Sequence, residues 1–416
     1  MTAVHRCALS RQLSLVALLL VGGQAAAADD APGNTKLQRL MEQTRARAAQ
    51  PAMSAASAPA AGLPSAPRMQ ERTQLLARAE TALAQMDSEK ALAAFENAAN
   101  ILHSADTEMG IVRTYMQMGN YRQALAFGAH TAGAHLDVVG GSALYAWLLH
   151  AGGQGAVAHK LLAQTQARAP GHALVAAVQQ QLQSTAPLAN GIMLRTPVRM
   201  APQGSVAKLP ANTQVVSSGL LINQGRSVMV PLHSLAGTSR TPARLWVRNG
   251  LGQLSSARLV QKLPGLGLAV LQLPDPLPLQ EPLVVTAADG FAGSVAYAME
   301  YVPSKDATPR WPVLHSGFLG GLSNPTVASD PSRELGLALG TGPRGGPVFD
   351  SAGYLAGIAI TQPGKADHIV MSSRLRQELG STLGQVANPA LPRPQASVDK
   401  VYEAGLRNTV QLLVGR

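Results

Sequence analysis

The stretch Gly342-Pro343-Arg344-Gly345-Gly346-Pro347-Val348-Phe349-Asp350-Ser351-Ala352-Gly353-Tyr354-Leu355-Ala356-Gly357-Ile358 decides the fold. A Gly-rich loop opens it, a short apolar run covers 346–349, an Asp-Ser-Ala-Gly turn follows, and a second apolar run covers 354–361. The same alternation of short β-branched runs with Gly/Pro turns fills the chain from about 190 to 380. Strands are expected at 215–223, 227–231, 244–248, 257–261, 268–273, 294–301, 335–339, 346–349 and 354–361. Many short strands at regular intervals predict an antiparallel barrel or sandwich.

Composition bounds the rest. A chain of 416 residues holds two or three domains with cores of their own. The single cysteine, Cys7, excludes a disulfide scaffold and any Cys-based zinc or iron–sulfur site. Aromatic residues make up 4%, too few for a platform that stacks single-stranded nucleic acid. The net charge of +11 raises the question of a polyanionic partner, but 26 of the 34 basic residues are arginines scattered singly among Ala, Leu and Gly. A nucleic-acid site would cluster them, and no such partner is expected.

Residues 1–28 have the pattern of an export signal. Arg6 and Arg11 precede an apolar run over 13–21, and Ala26-Ala27-Ala28 before Asp29 forms a cleavage site. Cleavage there removes both arginines and no acid, taking the charge from +11 to +9, and also removes Cys7. The apolar run is too short to cross a bilayer, and no transmembrane segment is expected in the mature chain. The expected location is therefore periplasmic or secreted. Residues 29–70 are mostly Ala/Pro/Ser-rich, with no periodic apolar face to offset the entropy of ordering them, and are expected to form a linker.

From 71 to 186 apolar residues recur at helical spacing. Gly119-Asn120-Tyr121-Arg122-Gln123-Ala124 recurs 34 residues later as Gly153-Gln154-Gly155-Ala156-Val157-Ala158, and Ala91 lies 33 residues before Ala124. This period, with small residues where helices cross, resembles the tetratricopeptide repeat. The resemblance implies stacked helix pairs with a concave surface, used either to bind a peptide or protein or to pack against the next domain. The histidines here, His103, His130, His135, His150, His159 and His172, show no zinc-site spacing. The five-residue step from His130 to His135 puts their rings on different helical faces. They are expected to be solvated or capping, with no metal or cofactor.

Three further segments of the β region carry a second resemblance. They are Ser217-Ser218-Gly219, then Ser227-Val228-Met229-Val230-Pro231-Leu232-His233, then Gly267-Leu268-Ala269-Val270-Leu271. With the Gly-Gly-Pro loop, in this order and spacing, they resemble trypsin-like serine peptidases, closest to the bacterial periplasmic Htr-type group. The resemblance implies a trypsin-like double β-barrel over 187–385. It also implies triad-equivalent positions at His233, Gly267 and Arg344, with Gly342, Pro343 and Gly345 in the loop that would form the oxyanion hole.

The chemistry does not follow the fold. A serine triad needs a hydroxyl nucleophile, a base, and a carboxylate that holds the base in its working tautomer. Only the base remains, as His233. Gly267 stands at the carboxylate position, and Arg344, which stays protonated and has no attacking lone pair, stands at the nucleophile position. Pro343 restricts Gly342 to extended conformations. Asp275, Ser316 and Ser351 are poorly placed to substitute. The reading is a catalytically inactive pseudopeptidase that binds a protein or peptide as an adaptor or scaffold. The alternative is an active serine-type endopeptidase with a rearranged site. Arg344 beside Gly-rich backbone is a candidate anion site. Within the tail, 386–416, a short helix capped by Ser397 and a strand over 409–414 are expected, the strand adding to an exposed barrel edge.

Overall fold

The computed structural model describes residues 64–85, 87–183, 209–235, 244–277, 279, 281–305, 307, 310–322, 333–337, 339, 345–361, 367–391 and 395–415. The expected export signal and nearly all of the expected linker lie outside these residues.

The helical pattern folds as antiparallel pairs. The helices are α1 (Ala66–Ala84), α2 (Ser88–Ile101), α3 (Ala105–Gln117), α4 (Tyr121–Ala134), α5 (Val139–Ala151), α6 (Gly155–Arg168) and α7 (Ala173–Leu182), so the first begins ahead of residue 71. The 34-residue step has a structural basis in repeated helix ends. Gly119 (φ +76°) and Gly153 (φ +81°) both adopt the left-handed conformation that reverses the chain. The Gly119 and Asn120 N–H groups donate to Met116 and Tyr115 carbonyls at 3.0 and 2.8 Å. Gly153 and Gln154 repeat this on His150 and Leu149 at 3.0 and 2.8 Å. Ala91, Ala124 and Ala158 are fully buried where the helices cross.

Beyond the array come two closed rings of six antiparallel strands, a trypsin-like double barrel. The first holds β1 (Gln214–Ile222), β2 (Ser227–Pro231), β3 (Arg244–Asn249), β4 (Leu254–Leu263) and β5 (Leu268–Gln272). Its sixth strand is Thr409–Gly415, which follows a helix over Val398–Asn408. The second barrel spans β7 (Val295–Glu300), β8 (Val313–Leu322), β9 (Arg333–Gly336), β10 (Pro347–Phe349), β11 (Leu355–Ile360) and β12 (His368–Met371), closed by the β10–β11 pairing. Two short strands, β6 (Val284–Val285) and β13 (Gln385–Val386), add to it in parallel, and α8 (Ser372–Leu379) follows β12. The helix and strand of the tail are α9 and β14.

The tail corrects two expectations. Its helix and strand form, with Ser397 at the N-cap position but making no side-chain capping hydrogen bond, and β14 does not add to an edge: it lies between β1 and β3 and closes the first barrel. Val410 is paired with Gly219 on one side and Asn249 on the other. Val410 and Leu412 enter the barrel core beside Leu221, Val228, Val247 and Leu271. On the opposite face, Gln411 Oε1 accepts from Arg248 Nε at 2.7 Å. Counted from β14, the ring order is β14-β1-β2-β5-β4-β3, so the strand that closes the first barrel comes from beyond the second barrel in sequence.

The array packs on this tail and also directly on the barrels. Tyr121 and Tyr402 meet edge to face with ring centroids 4.7 Å apart, and Trp147 meets Trp311 at 4.9 Å. Arg122 Nε reaches Glu403 Oε2 at 2.5 Å, and Arg407 donates to the Gly119 carbonyl at 3.2 Å. One apolar core runs from Ala79 through Trp147 to Leu220, Met299 and Leu406. Of the two uses foreseen for the helical surface, packing on the next domain is thus realised by α4 and α5.

Candidate functional site

The three segments expected around a catalytic centre converge where the barrels meet. β2 runs antiparallel to β5 with Pro231 opposite Leu268, so the end of β2 and the start of β5 lie side by side. His233 sits in a short 3₁₀ turn after β2, and Leu232 N–H donates to the Gly267 carbonyl at 2.8 Å. A Cβ at Gly267 would lie 3.8 Å from Ile360 Cδ1 of the second barrel. The Gly345-Gly346 pair is set by close approach. A Cβ at Gly345 would fall 2.2 Å from Pro231 Cδ and 2.4 Å from the Ser218 carbonyl, and one at Gly346 would fall 1.7 Å from the Met299 carbonyl. Only glycine lets this loop reach the strand that leads to His233. Gly342, Pro343 and Arg344, and with them the candidate anion site, lie outside the described residues.

His233 is half-buried, and burial alone lowers its pKa below the ordinary imidazole value. Among the described residues no carboxylate touches it. Gly267 caps the 3₁₀ turn over Pro264–Leu266 in the left-handed conformation, φ +65° and ψ +23°. The residues considered as substitutes are engaged or remote. Asp275 lies past the far end of β5, where Ser227 faces Gln272. Ser316 lies within β8 opposite Tyr297, and Ser351 lies in the turn between β10 and β11. Asp350 accepts from the Ala352 and Tyr354 N–H groups at 2.9 Å and so shapes that turn. Ser218 Oγ, buried between the barrels, accepts from Tyr301 N–H at 2.6 Å.

The histidines of the array give a mixed outcome. His172 does cap, its Nδ1 accepting from Leu174 N–H at 3.2 Å. His103, His130 and His135 instead converge on Glu108, a carboxylate only 1% exposed. Their Nε2 atoms lie 2.5, 3.2 and 3.5 Å from its oxygens. The face argument fails because His135 is no longer helical. It is the C-cap of α4, with φ −119° and ψ +62°, and the His103 ring lies between the two, 5.9 Å from His130 and 5.8 Å from His135. Burial raises the Glu108 pKa, but contacts with His130 and Thr131 and the nearby imidazole charge outweigh it and leave the carboxyl below its usual value. His130 is shifted up by its contact with Glu108. The sequence signal was available in His103 and Glu108, five apart and both flanking the start of α3, but nothing in it placed the end of α4 beside them.

No family model matches the chain, and no curated protein does. Among solved structures it is similar to Deg5, at 16% identity over 41% of this chain and 87% of that one, TM-score 0.31. It is also similar to the MamO protease domain from Magnetospirillum magneticum, at 22% identity over 42% of this chain and 92% of that one, TM-score 0.30. A third is the HtrA-type protease AlgW with decapeptide, at 19% identity over 39% of this chain and 50% of that one, TM-score 0.33.

Proposed function

We propose that this chain is an exported, catalytically inactive protein of the trypsin-like fold that binds a protein or peptide as an adaptor or scaffold. The observation that carries the reading is Gly267. The strand pairing that should bring a carboxylate to His233 is intact, yet the position holds a left-handed glycine. An imidazole without that partner lacks the group that fixes its tautomer and stabilises its protonated form, and loss of one triad member typically costs several orders of magnitude in rate. Arg344 at the nucleophile position removes a second member. The array, held on the first barrel by α4 and α9, leaves its remaining surface and the inter-barrel cleft for a partner. Among the described residues no helix is long and apolar enough to cross a membrane.

The test has two arms. A fluorophosphonate probe applied to the purified protein leaves every serine unlabelled; a labelled serine would establish the active-hydrolase alternative. Affinity capture from an envelope fraction retains a partner with the intact chain and loses it when surface residues of the cleft or array are altered. Capture that no such variant weakens would remove the adaptor reading.

A further inference from the structure

We infer that His103, Glu108 and His135 form a zinc site in the helical array, with His130 orienting the carboxylate. One nitrogen from each of the two histidines and one oxygen of Glu108 lie within 4.8 Å of one another. Tetrahedral zinc bound to N and O at ~2.0–2.2 Å separates its ligand atoms by about 3.3 Å; His135 stands at 3.5 Å from Glu108, and His103, at 2.5 Å, moves outward by less than about 1 Å to admit the ion. Without a metal, Glu108 is contacted by three imidazole nitrogens and by Thr131, and among the described residues no lysine or arginine pairs with it. A carboxylate buried this deeply needs compensating charge, and the imidazole nitrogens around it are potential ligand atoms. A divalent cation supplies the charge and takes up those nitrogens at once. Imidazole with carboxylate, and no thiolate, is a donor set suited to zinc and neighbouring first-row ions.

The surroundings hold the ligands in place. Buried Arg72 of α1 donates to Ser104 Oγ at 2.5 Å, Asp106 Oδ1 at 2.7 Å and Thr107 Oγ1 at 2.8 Å. It thereby fixes the loop that carries His103 and leads into the turn bearing Glu108. His130 Nε2, 3.2 Å from Glu108 Oε1, stands where an outer residue would orient a ligating carboxylate. His103 is half-exposed, which gives the ion an entry path and leaves a coordination position for water. The site joins the α2–α3 loop to the end of α4 and is separate from the cleft at His233.

Chelator-stripped protein titrated with Co2+ is expected to bind one equivalent, with the visible absorption of a four-coordinate N/O site, and Zn2+ should displace it. His103→Ala and His135→Ala should each weaken binding at least tenfold, and His130→Ala less. The exposed His103 is the safe variant for folding, checked by near-ultraviolet dichroism. Zn2+ should also raise the thermal midpoint of the wild type but not of His103→Ala. The variant pair His150→Ala and His159→Ala, at the other close histidine pair, should leave the titration unchanged. Absence of stoichiometric binding, or binding lost in that pair and retained in His103→Ala with His135→Ala, would overturn the site. Glu108 would then be balanced by a protonated histidine alone.

Discussion

Tyr121 of the array and Tyr402 of the tail stack edge to face 4.7 Å apart, both fully buried. Their hydroxyls point away from the contact to donate elsewhere, Tyr121 to the Leu148 carbonyl at 2.6 Å and Tyr402 to the Pro312 carbonyl at 3.0 Å. This pair joins three parts of the chain that are remote in sequence: the repeats, the tail and the lead-in to β8. Truncating either to alanine should cost about 3–5 kcal/mol, as for other large buried aromatics. A double-mutant cycle should show coupling beyond additivity of about 0.5–1.5 kcal/mol. Additive losses in denaturant melts would mean that the array and the tail are not joined here.

The tail carries more than an edge contact, so its deletion should do more than lower a midpoint. Val401, Tyr402, Leu406, Val410, Leu412 and Leu413 are all essentially inaccessible to solvent. Each such burial contributes about 1.5–3 kcal/mol, and six of them rival the whole stability of an ordinary domain, about 5–15 kcal/mol. A chain ending at residue 395 should lose the cooperative unfolding transition of the first barrel and expose β1 and β3 as sticky edges. A retained cooperative melt, followed by calorimetry, would show that β1 and β3 can pair without β14.

How much of this was legible beforehand depended on whether a segment's local pattern determined its neighbours. β2, β5, β10 and β11 are short β-branched or apolar runs between turns, and reading them locally was enough. The ten-residue β8 escaped because its three glycines and a histidine break the apolar alternation, although Phe318 and Leu319 pair in register with β9. The His233–Gly267 juxtaposition followed from motif order, since β2 and β5 are forced together by the fold. The Glu108 cluster did not follow, because it depends on one residue, His135, leaving helical geometry at the end of α4. The placement of β14 was half legible: its strand character is written in Val410, Leu412 and Leu413, but the gap it fills is defined only by β1 and β3 together.

Restoring the missing triad groups should not restore a peptidase. In Gly267→Asp with Arg344→Ser, the new Cβ has room, with Ile360 Cδ1 3.8 Å away. The backbone is the obstacle: φ of +65° costs a residue with a side chain about 1 kcal/mol, and relief of that strain turns the carboxylate off His233. A displacement of about 1 Å can cost 100-fold in rate. The double variant should therefore label weakly or not at all with fluorophosphonate and turn over peptide esters slowly. Rates matching active serine peptidases would show that the loop can relax into a working triad.

Three of the seven tyrosines should be silent in an alkaline titration. Burial pushes the hydroxyls of Tyr121, Tyr301 and Tyr402 up, with neighbouring tyrosines adding to this for Tyr121 and Tyr301. The sign is that of a raised acid. The folded state holds these protons above pH ~10, where the unfolded chain releases them. The stability they contribute is complete below pH ~10 and is lost as pH rises beyond it. Burial also shifts Tyr115 and Tyr145 up, so absorbance at the phenolate band should stay short of its full value in the native protein and gain the contribution of the three silent rings only on unfolding. A smooth seven-tyrosine titration without loss of structure would show that water reaches these rings.

Because β14 pairs antiparallel with β1, it should also close the barrel from a position ahead of β1 in sequence. β14 and β1 are antiparallel, Val414 lies opposite Gln214, and a Cβ on Gly415 would come 3.0 Å from Thr213 Oγ1. The two chain ends are thus already placed for a hairpin, and a two-residue Asn-Gly turn matches the twist of such a pair. We expect a variant carrying 395–415 immediately before residue 213, joined through that turn and preceded by a flexible Gly/Ser connector, to fold to the same barrel. The packing of α9 on α4, including Arg122 to Glu403, should survive because helix and strand move together. Its melt should lie within a few degrees of the parent, since the added loop is short and doubling the length of the connector costs only ~0.6 kcal/mol. Loss of the near-ultraviolet signal of Trp246, which faces Leu413 across the β3–β14 pairing, would show that β14 needs its present position to be captured.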